Sequence, residues 1–307
     1  MKKVVSVSLG SSKRNHTVEV EILGEQLQIS RIGTDGDLEK AKRLIRELDG
    51  QVDALGLGGI DLYLYAGNKR YILREALQLA QMAKKTPIVD GSGLKNTLER
   101  RVIKYLHNDL QLPLADQKIL MVCAMDRFGM AQSFAQLGCD TIYGDLIFAL
   151  GVPVPLKNLK TLEFLAQMLV PAISLLPIKY LYPTGSKQED NKPSHHQYYQ
   201  WADIITGDFH FIRRYMPENL AGKTIITNTV TVSDVEMLKS RGVHRLITTT
   251  PDLAGRSFGT NVMEGVLVSL LGKRPEELSS QDYETLLDKI EFKPRIEDFL
   301  TAEKLSS

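Results

Sequence analysis

The stretch from Lys118 to Asp145, KILMVCAMDRFGMAQSFAQLGCDTIYGD, constrains the fold more than any other part of the chain. An apolar run of strand length, residues 119–124, enters a short turn, and a helical pattern then runs to Leu137-Gly138. A second short strand, residues 141–143, ends against an acidic residue, Asp145. Strand, turn, helix and strand in that order open a doubly wound, nucleotide-type sheet.

The alternation continues downstream. Further strands are expected at 178–182, 202–206, 223–228 and 244–249, with helices near Met130, Leu162, Gln197, Ile212, Val235 and Val262. Six strands joined by crossover helices make a complete Rossmann-type parallel sheet, because right-handed crossovers are nearly obligatory. Before it, residues 1–115 read as a separate α/β domain. Strands fall at 4–9 and 52–57, a hairpin at 17–32, a helix at 38–48, and a strand at 87–89 leads into another helix. The fold class is therefore α/β: an N-terminal α/β domain (1–115), a Rossmann-type nucleotide-binding domain (116–273) and a C-terminal helical tail packing back (274–307).

A chain of 307 residues has room for two cores. Its net charge of +1 recommends neither nucleic acid nor an anionic membrane as a partner. The apolar run behind Lys2-Lys3 is too short for a signal peptide, and the run at 164–182 is broken by Gln167, Pro171, Pro177 and Lys179, so no membrane span is expected. Cys123 and Cys139 fit a reducing cytoplasm, and the six histidines show no metal-ligand spacing with them. A small-molecule ligand is the expected partner, and a homodimer stays open.

The loops at strand ends carry the candidate chemistry. In Ala124-Met125-Asp126-Arg127-Phe128-Gly129 only the third glycine of a dinucleotide fingerprint survives, as Gly129. Asp126 stands where backbone should approach a pyrophosphate, and Arg127 could compensate by binding phosphate itself. Asp145 is placed to accept ribose hydroxyls, which would favour NAD over NADP, since its charge repels a 2′-phosphate. The alternative is a sheet that binds something else, or a turn in which Asp126 merely caps the helix. Thr206, Gly207 and Asn228, at two later strand ends, would line the same rim. In Asp90-Gly91-Ser92-Gly93-Leu94-Lys95-Asn96, Lys95 and Asn96 could stabilise an anion or carbonyl oxygen, and Lys95 with Asp90 or Asp35 could move a proton on a substrate hydroxyl. Finally, Arg256, Ser257, Thr260 and Asn261 offer an anion site before the last helix of the sheet.

The segments VSVSLGSSKRNH, GTDGDLEKA, GLGGIDLYL, VDGSGLKNTLERR and GRSFGTNVMEG give the chain its resemblance to a group of bacterial quinate 5-dehydrogenases, loosely related to the shikimate and quinate dehydrogenases. That resemblance implies NAD(P)-dependent oxidation of a ring hydroxyl on a small, anionic hydroxy compound, with a lysine–aspartate pair handling the proton. Lys95 with Asp90 or Asp35 fills that role only by substitution, because a lysine close after an Asn-x-Thr strand is missing from the first domain. The other reading of the same residues is a non-redox ligand-binding or regulatory protein with a degenerate Rossmann-type site.

Overall fold

A computed structural model describes residues 1–66, 69–177, 181, 191–253 and 256–299. The chain is α/β and forms two compact units, each assembled from three segments where contiguous domains were expected. Unit 1 is Met1–Thr97, Ala166–Gln188 and Gly259–Phe292, and unit 2 is Leu98–Leu165, Glu189–Phe258 and Lys293–Ser307.

Unit 1 is built on a five-stranded sheet. β1 (Lys2–Ser8) runs parallel between β3 (Glu25–Gly33) and β4 (Ala54–Gly58), β7 (Ile88–Val89) extends the sheet beyond β4, and β2 (His16–Ile22) covers the far edge as the antiparallel partner of β3. The hairpin of β5 (Tyr63–Ala66) and β6 (Lys69–Ile72) stands apart. Alternation along β1 and β4 sends Val5, Val7, Leu55 and Leu57 to one face, where α1 (Leu38–Leu48) and α2 (Arg74–Ala80) supply Ala41, Ile45, Ala76 and Leu79. Asp37 starts α1 by accepting the Lys40 amide at 2.9 Å. The opposite face is covered by α10 (Thr260–Leu271), which comes so close that a Cβ on Gly265 would lie 3.0 Å from Val4. Each aliphatic side chain buried this way contributes roughly 1.5–3 kcal/mol.

Unit 2 holds a six-stranded sheet in the order β15-β12-β11-β10-β8-β9. β8 (Lys118–Met121), β9 (Asp140–Tyr143), β10 (Ile204–Thr206), β11 (Thr224–Thr227) and β12 (Arg245–Thr248) are parallel, and their near-continuous apolar runs suit strands buried on both faces. α4 (Phe128–Gln136), α5 (Asp145–Phe148), α7 (His196–Trp201), α8 (Phe209–Tyr215) and α9 (Val232–Ser240) follow the strands, while α6 (Leu159–Ile173) divides between the units. Phe148, Tyr199, Phe209 and Leu238 join Leu120, Ile205, Ile225 and Leu246 in one core cluster.

One expectation about this sheet is corrected. Its sixth strand is not parallel: β15 (Arg295–Asp298) joins β12 antiparallel, where a helical tail was expected. The expected strand at 178–182 lies outside the described residues apart from Leu181, which is helical. α11 (Ser280–Lys289) falls in the expected helical tail, with Ser279 and Asp282 closing a capping box. Among the described residues, no helix is long and apolar enough to cross a membrane.

Candidate functional site

Both sheets share one topological device. In unit 1 the parallel strands lie in the order β3-β1-β4-β7, so the chain turns one way after β1 and the other way after β4. In unit 2 the corresponding order is β9-β8-β10-β11-β12, with the reversal between β8 and β10. Crevices for ligands open outside the carboxyl ends of strands at such a switch point.

At the unit 1 switch point the loop after β4 brings in Asp61, whose Oδ1 lies 3.0 Å from the Lys95 ammonium on α3 (Ser92–Asn108). Both side chains are nearly buried, at 12% and 11% exposure. The carboxylate partner of Lys95 is therefore Asp61. Asp90 is committed elsewhere: Oδ2 accepts the Leu62 and Tyr63 amides at 2.6 and 3.1 Å, and Oδ1 accepts the Ser92 amide and hydroxyl at 3.0 and 2.7 Å. With four donors on it, Asp90 ties the turn before α3 to the loop after β4. Asp35 sits in an exposed turn at φ +55° and accepts the Ser12 amide at 2.7 Å, a bond that lowers its pKa. Asn96 lies half-buried in the first turns of α3.

The unit 2 switch point is organised by Arg127, which is 3% exposed. Its Nη1 donates to Glu99 Oε1 at 2.7 Å, its Nη2 lies 3.4 Å from Asp208 Oδ2, and its Nε is 3.7 Å from Asp126. Burial works against the guanidinium charge, but the three carboxylates, Glu99 foremost, outweigh it and raise the pKa. Asp208 also accepts the Asn228 side-chain amide at 2.7 Å and the His210 backbone amide at 2.9 Å. Burial pushes the Asp208 pKa up, while His210 and then Arg127 pull harder and hold it below the ordinary value. Gly207, at φ +142°, permits this approach, since a Cβ there would meet Val122 at 2.5 Å. Thr206 turns inward and donates to Met130 Sδ at 2.8 Å.

The dinucleotide turn is filled by the chain itself. Asp145 is buried, and its two carboxylate oxygens accept the Ala124 and Met125 amides at 3.1 and 2.8 Å. Burial raises its pKa to about 6, against the opposing pull of those amides. Its oxygens thus face the turn in which a pyrophosphate was expected. The N-cap residue of α4 is Arg127, whose own side chain makes no capping bond. Phe128 and Gly129 form the first turn of the same helix, with Gly129 buried.

The four residues of the expected anion site are divided between the units. Ser257, on β14 (Arg256–Ser257), shares a hydrogen bond of 3.0 Å with Thr248, and the side chain of Arg256 lies outside the described residues. Thr260 begins α10, and Asn261 donates to the Ser6 hydroxyl at 2.6 Å beneath Gly56 and Gly91. Asp61 and Glu99 were missed by sequence reasoning. Asp61 had a signal, an acid directly after Gly58-Gly59 at a strand end, whereas Glu99 reads as an ordinary charge on a helix face.

Two family models match the chain: a domain of unknown function (DUF8753) over residues 3–90, and a second domain of unknown function (DUF8754) over residues 93–299. No curated protein matches it. Among solved structures it is similar to a galactofuranose binding protein at 12% identity, covering 97% of this chain and 95% of that one, with a TM-score of 0.37. The periplasmic binding protein component of the arabinose ABC transporter from Shewanella sp. ANA-3 is 11% identical, with 89% and 87% covered and a TM-score of 0.33. The hetero-hexameric glutamate dehydrogenase from Thermus thermophilus is 13% identical, with 94% and 73% covered and a TM-score of 0.39. The expectation of an NAD-dependent oxidoreductase is corrected here. Solute-binding proteins recur among these structures, but at such scores the likeness carries no argument by itself. The turn around Asp145 and Arg127, closed by the chain's own side chains, is what removes the basis of the dehydrogenase reading.

Proposed function

The chain belongs to the DUF8754 family, whose description assigns no activity, and we propose that it is a non-redox protein that binds a small, uncharged, hydroxyl-rich molecule. The observation that carries this reading is the charge balance at the unit 2 switch point. Glu99, Asp126 and Asp208 surround the Arg127 guanidinium, and His210 also acts on Asp208, so carboxylates dominate this rim. The Asp126 and Asp208 side chains keep 30% and 21% exposure, enough to accept hydrogen bonds from a ligand. An anion brought within 4 Å of either would meet a repulsion of about 4 kcal/mol at an effective dielectric near 20. Hydroxyl donors meet acceptors of the matching kind, in charge-assisted bonds.

Calorimetric titration of the intact protein with neutral pentoses and polyols, quinate, NAD and NADP tests this. Binding is expected for a member of the neutral set alone, and Asp126→Asn should weaken it about tenfold, the loss of one charge-assisted hydrogen bond. Stoichiometric binding of NAD, or of quinate in preference to every neutral polyol, would overturn it.

A further inference from the structure

Glu264 is 3% exposed on α10, one turn into the helix. Its Oε1 accepts the Tyr283 hydroxyl of α11 at 3.0 Å, and its Oε2 is buried with no hydrogen-bond partner among the described residues. The carboxyl is pressed against the turn that opens α3. The Gly91 N–H acts on it, and a Cβ on Gly93 would lie 2.3 Å from Oε1, so a side chain there would displace the carboxyl. The charged groups around it do not balance a negative charge. The turn presents Asp90, which already accepts from four donors, and α3 presents Lys95, which is paired with Asp61. α11 presents Tyr283, with Asp282 behind it. From the strands beneath α10, Lys2 donates to the Ser269 carbonyl at 2.5 Å, and Ser6 accepts from Asn261.

We propose that Glu264 is a proton-operated latch: carried as the neutral acid, it holds α10 and α11 to the turn before α3, and loss of its proton releases that junction. An ionised carboxylate with an unpartnered oxygen cannot stay dry, so deprotonation draws water in and loosens the three elements. Burial, and after it the Asp90 charge, raises the Glu264 pKa to about 8. The sign follows from proton counting. Between the ordinary glutamate value of 4.5 and about 8 the unfolded chain has released this proton and the folded one has kept it, so stability falls as pH rises through that window and levels off above it. The latch is independent of the ligand proposed for unit 2.

The test uses the full chain with carbon-labelled glutamate, titrated by NMR, alongside urea unfolding at several pH values. One glutamate resonance, absent in Glu264→Gln, should titrate near pH 8. The folding constant of wild type should fall relative to Glu264→Gln by about tenfold per pH unit within the window. Tyr283→Phe removes a donor that favours the ionised form and should move the titration higher still. A resonance titrating at the ordinary glutamate value, equal slopes in wild type and Glu264→Gln, or an unmoved titration in Tyr283→Phe would each overturn the latch.

Discussion

The two switch points solve the same problem, an acid-rich loop at the end of a buried strand, with different chemistry. Unit 1 neutralises its acids one at a time: four donors converge on Asp90, and one ammonium meets Asp61. Unit 2 gathers Glu99, Asp126 and Asp208 on a single guanidinium. The first arrangement is distributed, so the loss of one partner leaves the others in place. The second is centralised. Removing its hub takes the shared cation from all three at once, including Glu99 at 1% side-chain exposure.

The largest effect should therefore come from Arg127→Met, which is expected to cost about 3–5 kcal/mol in urea unfolding, the range for unpairing a buried charge. Adding Glu99→Gln should recover much of that loss, because the stranded charge disappears with it. A loss below about 1 kcal/mol for Arg127→Met would show that the hub is not central. Next comes Gly207→Ala. A side chain at φ +142°, with its Cβ 2.5 Å from Val122, should cost about 1–3 kcal/mol. It should also reduce polyol affinity by displacing Asp208, and a crystal structure of the variant with Asp208 unmoved would break that link. The smallest effect belongs to unit 1. Lys95→Met should cost only about 1 kcal/mol, since Asp61 keeps 11% exposure and can recruit water. A loss matching that of Arg127→Met would erase the contrast between the two sites.

Local patterning made much of the fold readable in advance. The helix at 38–48 matches α1 residue for residue, and the strands expected around 119, 141, 202, 223 and 244 all occur within a few residues of β8 to β12. Those segments are apolar runs bounded by polar turns, and such runs have few alternatives. Pairing order was hidden, because it depends on contacts far apart in the chain. Nothing around Gly259 announces that the next helix leaves the sheet of unit 2 to cover β1 and β4 of unit 1. β15 was missed because Arg295-Ile-Glu-Asp298 is mostly charged, as an edge strand tends to be. At the site, residue types were readable but their partners were not. Lys95 was seen to need a carboxylate, yet choosing Asp61 over Asp90 requires knowing that Asp90 is already spent on amides. Asp145 was seen as an acceptor, and only the closed turn shows that it accepts from the backbone.

The antiparallel strand β15 has a consequence for the order in which the protein is made. It pairs Arg295 with Thr248 and Asp298 with Arg245, so the outer rim of β12 stays open until residues near 298 have been translated. Unit 1 is likewise without one of its covering layers until α10 has emerged. Domains are commonly completed in sequence from the N-terminus during synthesis. Here both halves wait for the last fifth of the chain, so a stalled ribosome would expose two unfinished sheets at once, and nascent chains halted before residue 259 would be natural clients for chaperones.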